Sequence, residues 1–116
     1  VGYKENIKIK EILSELKLNE RLFRVNCGMA WTGKVINKIK NKIVLENPRP
    51  FYGMPEGTSD LIGFTSIEIT KEMVGNKIAV FTAIEVKTKN VTTSEEQNNF
   101  IKMVQDLGGI AKIVKG

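Results

Sequence analysis

Histidine is absent from the 116-residue sequence, and cysteine occurs once, at Cys27. A structural zinc site draws on Cys and His ligands, and Ser–His or Cys–His catalysis needs an imidazole, so these chemistries are excluded. A lone cysteine cannot form an internal disulfide framework and fits a reducing compartment. Long apolar runs are missing too, which excludes a membrane-spanning helix. No basic, apolar, small-residue leader opens the chain, so the expected setting is cytoplasmic, neither secreted nor membrane-bound. Carboxylates, lysines, hydroxyls and a hard metal ion remain as sources of chemistry.

What is present is an ordinary globular composition, with 41% hydrophobic and 27% charged residues. Domains commonly run to about 100–150 residues, so residues 1–116 are expected to form one domain. The net charge of +5 is unevenly placed. Residues 1–50 hold 11 basic and 5 acidic side chains, and residues 51–116 hold 7 and 8. An excess of positive charge in one half points to a polyanionic partner such as nucleic acid.

Apolar residues at helical spacing (Ile9, Ile12, Leu13, Leu16) predict a helix over 4–18. Alternation over 21–27 predicts a strand. Residues 34–46 interleave lysines with Val35, Ile36, Ile39, Ile43, Val44 and Leu45, and Asn41 marks a turn, so a basic hairpin is expected. Prolines 48, 50 and 55 with Gly53 and Gly57 argue against regular structure to about residue 58. Strands follow over 60–69 and 77–86; the second is the most apolar and is expected to be central. Thr93 with Glu96 is a capping-box pattern, opening a helix to about Leu107 with Phe100, Ile101, Val104 and Leu107 inward. A last strand covers 110–114. The order α-β-β-β-β-β-α-β implies an α/β domain, with a mixed β-sheet flanked by helices.

One combination in this pattern carries chemistry. Glu85 and Lys87 lie two apart near the end of a strand, and residues two apart share a face. Asp60 opens the preceding strand; if the strands are neighbours, two carboxylates converge beside one ammonium. Carboxylate oxygens suit Mg²⁺ or Mn²⁺. A metal so held would polarise a phosphoryl oxygen and acidify a bound water, while Lys87 stabilises charge developing on phosphorus. Taken singly, a Glu-x-Lys pair is more often a solvated strand edge and an aspartate before a strand more often a turn residue.

Residues 57–63 (GTSDLIG), 83–89 (AIEVKTK), 93–101 (TSEEQNNFI) and 104–111 (VQDLGGIA) resemble the virus-type replication–repair nuclease (VRR-NUC) domain of the PD-(D/E)XK superfamily. Residues 21–33 (RLFRVNCGMAWTG) are similar to phage members. The resemblance implies a restriction-endonuclease-like core, with Asp60, Glu85 and Lys87 catalytic. It implies metal ligation by Asp60, Glu85 and the Val86 main-chain carbonyl, and support of the centre from Gln97. Ser59 stands where the superfamily's nominal proline falls, a variable position. An acid on the first helix usually completes such a site. Glu5 lies on the apolar stripe and Glu11 on the opposite face, which favours Glu5.

Lys34, Lys38, Lys40 and Lys42 carry no acid between them and suit phosphate contact or protection of a hairpin edge. Arg49 and Lys89 join them as candidate DNA contacts, and Phe51 and Tyr52 lie where a substrate could be touched. Trp31 could stack on a base or pack at an interface, though core packing is the commonest outcome. Cys27 is expected to be a small core residue. The expected protein is a Mg²⁺- or Mn²⁺-dependent DNA endonuclease, phage-like, acting on branched DNA with a Holliday junction favoured. Cutting two symmetric strands calls for a homodimer, with Trp31 and the apolar residues of 34–46 as interface candidates. The competing classes are a non-catalytic DNA-binding module, which would have no need of the intact trio, and a nuclease subunit of a larger replication complex acting on flaps.

Overall fold

A computed structural model describes residues 2–116. The elements follow the expected order: helix α1 (Tyr3–Ser14), strands β1 (Glu20–Arg24), β2 (Met29–Ile39), β3 (Lys42–Tyr52), β4 (Leu61–Thr65) and β5 (Thr82–Lys87), helix α2 (Glu95–Asp106) and strand β6 (Ile110–Lys115). A short 3-10 turn, Lys71–Met73, lies between β4 and β5. The α/β class is as expected, with two helices and both parallel and antiparallel pairing. Among the described residues the strands form three two-stranded ladders, β1–β4, β2–β3 and β5–β6. The chain divides into two compact units, Val1–Leu22 with Gly63–Gly116, and Phe23–Ile62.

The first unit is built around a β-α-β crossover. β5 and β6 pair in parallel, Ala83 beside Ala111 and Glu85 beside Ile113, and parallel neighbours require a connection long enough to hold a helix. That helix, α2, packs on both strands. Val104 of α2 is fully buried, and Ala111 of β6 and Ile9 of α1 are also buried. The rings of Phe64 and Phe81 stack at 4.7 Å in a tilted arrangement. Ser66 joins distant segments: its hydroxyl donates to the Leu107 carbonyl (2.8 Å) and its N–H to the Asn19 carbonyl (2.7 Å). A Cβ at Gly63 would strike the Arg21 carbonyl, so the approach of β4 to β1 requires glycine.

β5 is shorter than the expected 77–86 strand, and residues 77–81 lie outside any strand. Its expected central place is not met either. It pairs with β6 alone among the described strands, and its outer face is open, with Val86 70% exposed.

The second unit is dominated by the β2–β3 ribbon, which turns at Lys40–Asn41. It is longer than the expected 34–46 hairpin. It takes in Trp31 on one strand and both Pro48 and Pro50 on the other, correcting the expectation that these prolines end regular structure. A two-stranded ribbon leaves each strand with an outer edge, where a missing N–H costs nothing. Pro48 lies at a bulge, where Asn47 takes a left-handed backbone (φ 51°) opposite Gly33. Trp31 is 60% exposed and Cys27 is exposed as well, so neither is the core residue expected. Apolar side chains along the ribbon stay exposed, among them Val35 and Ile36 on β2 and Ile43 and Val44 on β3, which as adjacent residues point to opposite faces.

Candidate functional site

The β5 pleat positions the central pair. Thr82, Ile84 and Val86 are exposed, while Ala83, Glu85 and Lys87 on the other face are half-buried. Glu85 Oε1 and Lys87 Nζ stand 3.9 Å apart, with side chains 28% and 20% exposed. This is longer than a charge-assisted hydrogen bond of about 2.7–2.9 Å, so neither group is committed wholly to the other.

The β5–β6 ladder also orients the carbonyls. Ile110 N–H donates to the Phe81 carbonyl (2.9 Å) and Gly116 N–H to the Lys87 carbonyl (3.2 Å). Carbonyls alternate in direction along a strand, so those of odd-numbered β5 residues face β6 and that of Val86 faces the opposite edge. No described strand bonds to β5 along that edge. A carboxylate and a strand carbonyl so placed are hard oxygen donors of the kind Mg²⁺ and Mn²⁺ prefer. These are donors of the right chemical kind for such an ion, although no cluster of three acidic, His or Cys side chains assembles among the described residues.

Gln97 reaches the same region from α2. Ser94 caps the helix, with Gln97 N–H donating to Ser94 Oγ (3.1 Å) and Ser94 N–H donating to Gln97 Oε1 (2.9 Å). The capping box is thus Ser94 with Gln97, one residue beyond the expected Thr93 with Glu96. Thr93 Oγ1 instead meets Asn98 Oδ1 at 2.5 Å. Between β5 and α2 lies an open cleft of about 270 Å³, lined by Ala83, Ile84, Glu85, Glu96, Gln97, Phe100 and Ile101. It brings Glu85 and Gln97 together. Glu96 was not singled out for chemistry in the sequence, because a glutamate in the first turn of a helix is ordinary dipole compensation. Gln97→Ala should lower the melting free energy by about 1 kcal/mol through loss of half the box. Thermal unfolding of the two proteins checks this.

Asp60 belongs to the second unit. It precedes β4, and its carbonyl accepts from Val25 N–H (3.1 Å). The loop before it is tied down by Gly53 N–H to the Gly28 carbonyl (2.8 Å), Met54 N–H to the Asn26 carbonyl (2.8 Å) and Thr58 Oγ1 to the Pro55 carbonyl (2.6 Å). Glu5 is exposed in the first turn of α1. The inward positions of that helix and the turn after it are Asn6, Ile9, Leu13 and Leu16; the last three are on the expected stripe, but its extension falls on Asn6 and not on Glu5. Glu11 pairs with Lys8 at 3.4 Å on the surface. Lys34, Lys38, Lys40, Lys42 and Arg49 are all exposed on the ribbon, and Lys89 is exposed after β5.

No described helix is long and apolar enough to cross a membrane. Comparison with curated proteins and with solved structures gave no match. The family model described as the VRR-NUC domain matches residues 4–116. That span takes in both units and every residue singled out above. With an acid and a lysine on one face of β5 and a glutamine on the following helix, the chain belongs to the VRR-NUC domain family, whose members are nucleases that act on DNA.

Proposed function

We propose that this protein is a Mg²⁺- or Mn²⁺-dependent endonuclease that hydrolyses phosphodiester bonds of branched DNA, with the four-way Holliday junction as its favoured substrate. The observation that carries the reading is the half-buried Glu85–Lys87 pair on one face of β5, beside the cleft that holds Gln97. In this reading Glu85 and the Val86 carbonyl would hold the ion, and Asp60 and Glu5 are the further ligands that the family resemblance implies. A divalent ion held there would supply a more acidic bound water and a polarised phosphoryl oxygen. Lys87 places its ammonium where negative charge grows on phosphorus. Gln97 supports the centre from the helix N-terminus.

The working form is a two-fold homodimer, acting in the cytoplasm, of the host cell if the protein is viral. A two-stranded ribbon alone is marginal in water. Here Trp31, Val35, Ile36, Ile39, Ile43, Val44, Phe51 and Tyr52 are exposed along it. A second copy laid on the ribbon would remove part of this apolar surface from water and place a second catalytic site on the same junction. Near the tip, Lys38 pairs with Ile43 and Lys42 with Ile39. The lysine stems can therefore cover apolar surface while their ammonium groups reach DNA. Sedimentation should give twice the 13.0 kDa chain mass at micromolar concentration; a monomer that still makes paired cuts would contradict the dimer.

Cleavage of four-way, flap, linear duplex and single-stranded DNA, with Mg²⁺ or Mn²⁺, tests the substrate. The junction should be cut fastest; preference for the flap would instead favour a subunit of a flap-processing complex. Binding should weaken steeply with salt, because each neutralised phosphate releases counterions. Replacing Lys38 and Lys42 with alanine should reduce the log–log salt slope by about 2 per protomer. An unchanged slope would show that the ribbon lysines do not touch the backbone.

A further inference from the structure

The β5–α2 cleft continues from Glu85 into a wall of Ala83, Phe100 and Ile101, with Glu96 and Gln97 as its other polar groups. A cleft needed only to hold a phosphate and a hydrated ion would be polar throughout. This one offers an aromatic ring and aliphatic side chains immediately beside the carboxylate, with one acceptor and one donor. Glu96 supplies the acceptor. The donor follows from the capping box: Ser94 N–H occupies Gln97 Oε1, which leaves the Gln97 amide nitrogen to donate. A flat apolar ring with neighbouring donor and acceptor groups on its edge is the complement of such a surface, and every nucleobase has that character.

We propose that this cleft receives one unpaired nucleobase of the DNA, of any sequence, from a nucleotide adjoining the scissile phosphate. The proposal rests on the nuclease reading and deepens it. A paired base cannot enter without leaving its stack, at a cost smallest where pairing is already broken. At a branch point that cost is least, so the cleft supplies a physical reason for choosing branched over continuous duplex. Stacking on an aromatic side chain is sequence-tolerant because every base has a π-face. The Glu96 and Gln97 groups orient the base without fixing its identity.

The test uses the full chain and four-way junctions in which 2-aminopurine replaces single bases, with metal chelated so that no strand is cut. Binding should change 2-aminopurine emission at one or two nucleotides beside the branch and leave positions deep in the arms unchanged. Ala83→Leu fills the cleft and should abolish that change. No change at any position overturns the proposal. So does a change that survives Ala83→Leu in a variant that melts like the wild type. If Ala83→Leu does not fold, abasic DNA decides. Removing the responsive base should weaken wild-type binding about tenfold, and equal affinity for intact and abasic junctions overturns the proposal. Cleavage with Mg²⁺ or Mn²⁺ is scored separately, so its absence counts against the nuclease reading and not against base capture.

Discussion

Glu85→Gln is expected to reduce DNA cleavage about a thousandfold or more, because it deletes the anionic oxygen proposed to hold a divalent ion, and such an ion supplies several kcal/mol of transition-state stabilisation. Folding should hardly change. The Glu85–Lys87 pair is long, at 3.9 Å, and the substitution keeps the size and polarity of the side chain. Junction binding should persist, since in the proposed reading the exposed lysines of the β2–β3 ribbon supply much of the phosphate attraction. Asp60→Asn should behave alike, because its fold contribution is the main-chain carbonyl that accepts from Val25, which the substitution retains. Gel-shift and cleavage assays on the same junction separate the two effects. Full activity in either variant would remove that residue from the metal site.

Lys87→Ala should cut kcat by about 10²–10³-fold while leaving the dissociation constant for DNA within a few fold. That range is typical for loss of one group aimed at developing charge. The distinction matters because Lys87 shares its face with Glu85 and is the less exposed of the two, unlike the open lysines of the ribbon. A group that acts only as charge builds on phosphorus lowers kcat, whereas a phosphate-positioning group weakens ground-state binding. Single-turnover cleavage at saturating protein reads the first, and titration without metal reads the second. If Lys87→Ala changes only the dissociation constant, its role is positioning.

The order of the elements was legible because strand and helix periods differ and the intervening turns are strongly marked. The Glu85–Lys87 face was legible for the same reason: a period of two leaves no choice once the strand is recognised. Proline misled the reading of β3. Its penalty applies to strands bonded on both sides, and β3 is bonded on one, so Pro48 at a bulge and Pro50 at an edge are tolerated. The capping box moved by one residue because Thr93–Glu96 and Ser94–Gln97 both satisfy the local chemistry. The structure takes the second, with Ser94 in extended backbone and its side chain accepting from Gln97 N–H. On α1 the stripe holds at Ile9, Leu13 and Leu16, but Ile12 is partly exposed and Asn6, not Glu5, turns inward. The cleft left no sequence signal. Phe100 and Ile101 read as core, and only the spacing between β5 and α2 makes them walls.

A supercoiled plasmid that extrudes a cruciform gives the most direct measurement of the central claim. With Mg²⁺ or Mn²⁺, the wild-type protein should place paired cuts across the four-way junction and convert the plasmid to linear product. Glu85→Gln should bind the cruciform and leave it intact. Linear product from Glu85→Gln at the wild-type rate, or no incision by the wild type with either metal, would contradict a metal-dependent junction endonuclease centred on Glu85 and Lys87.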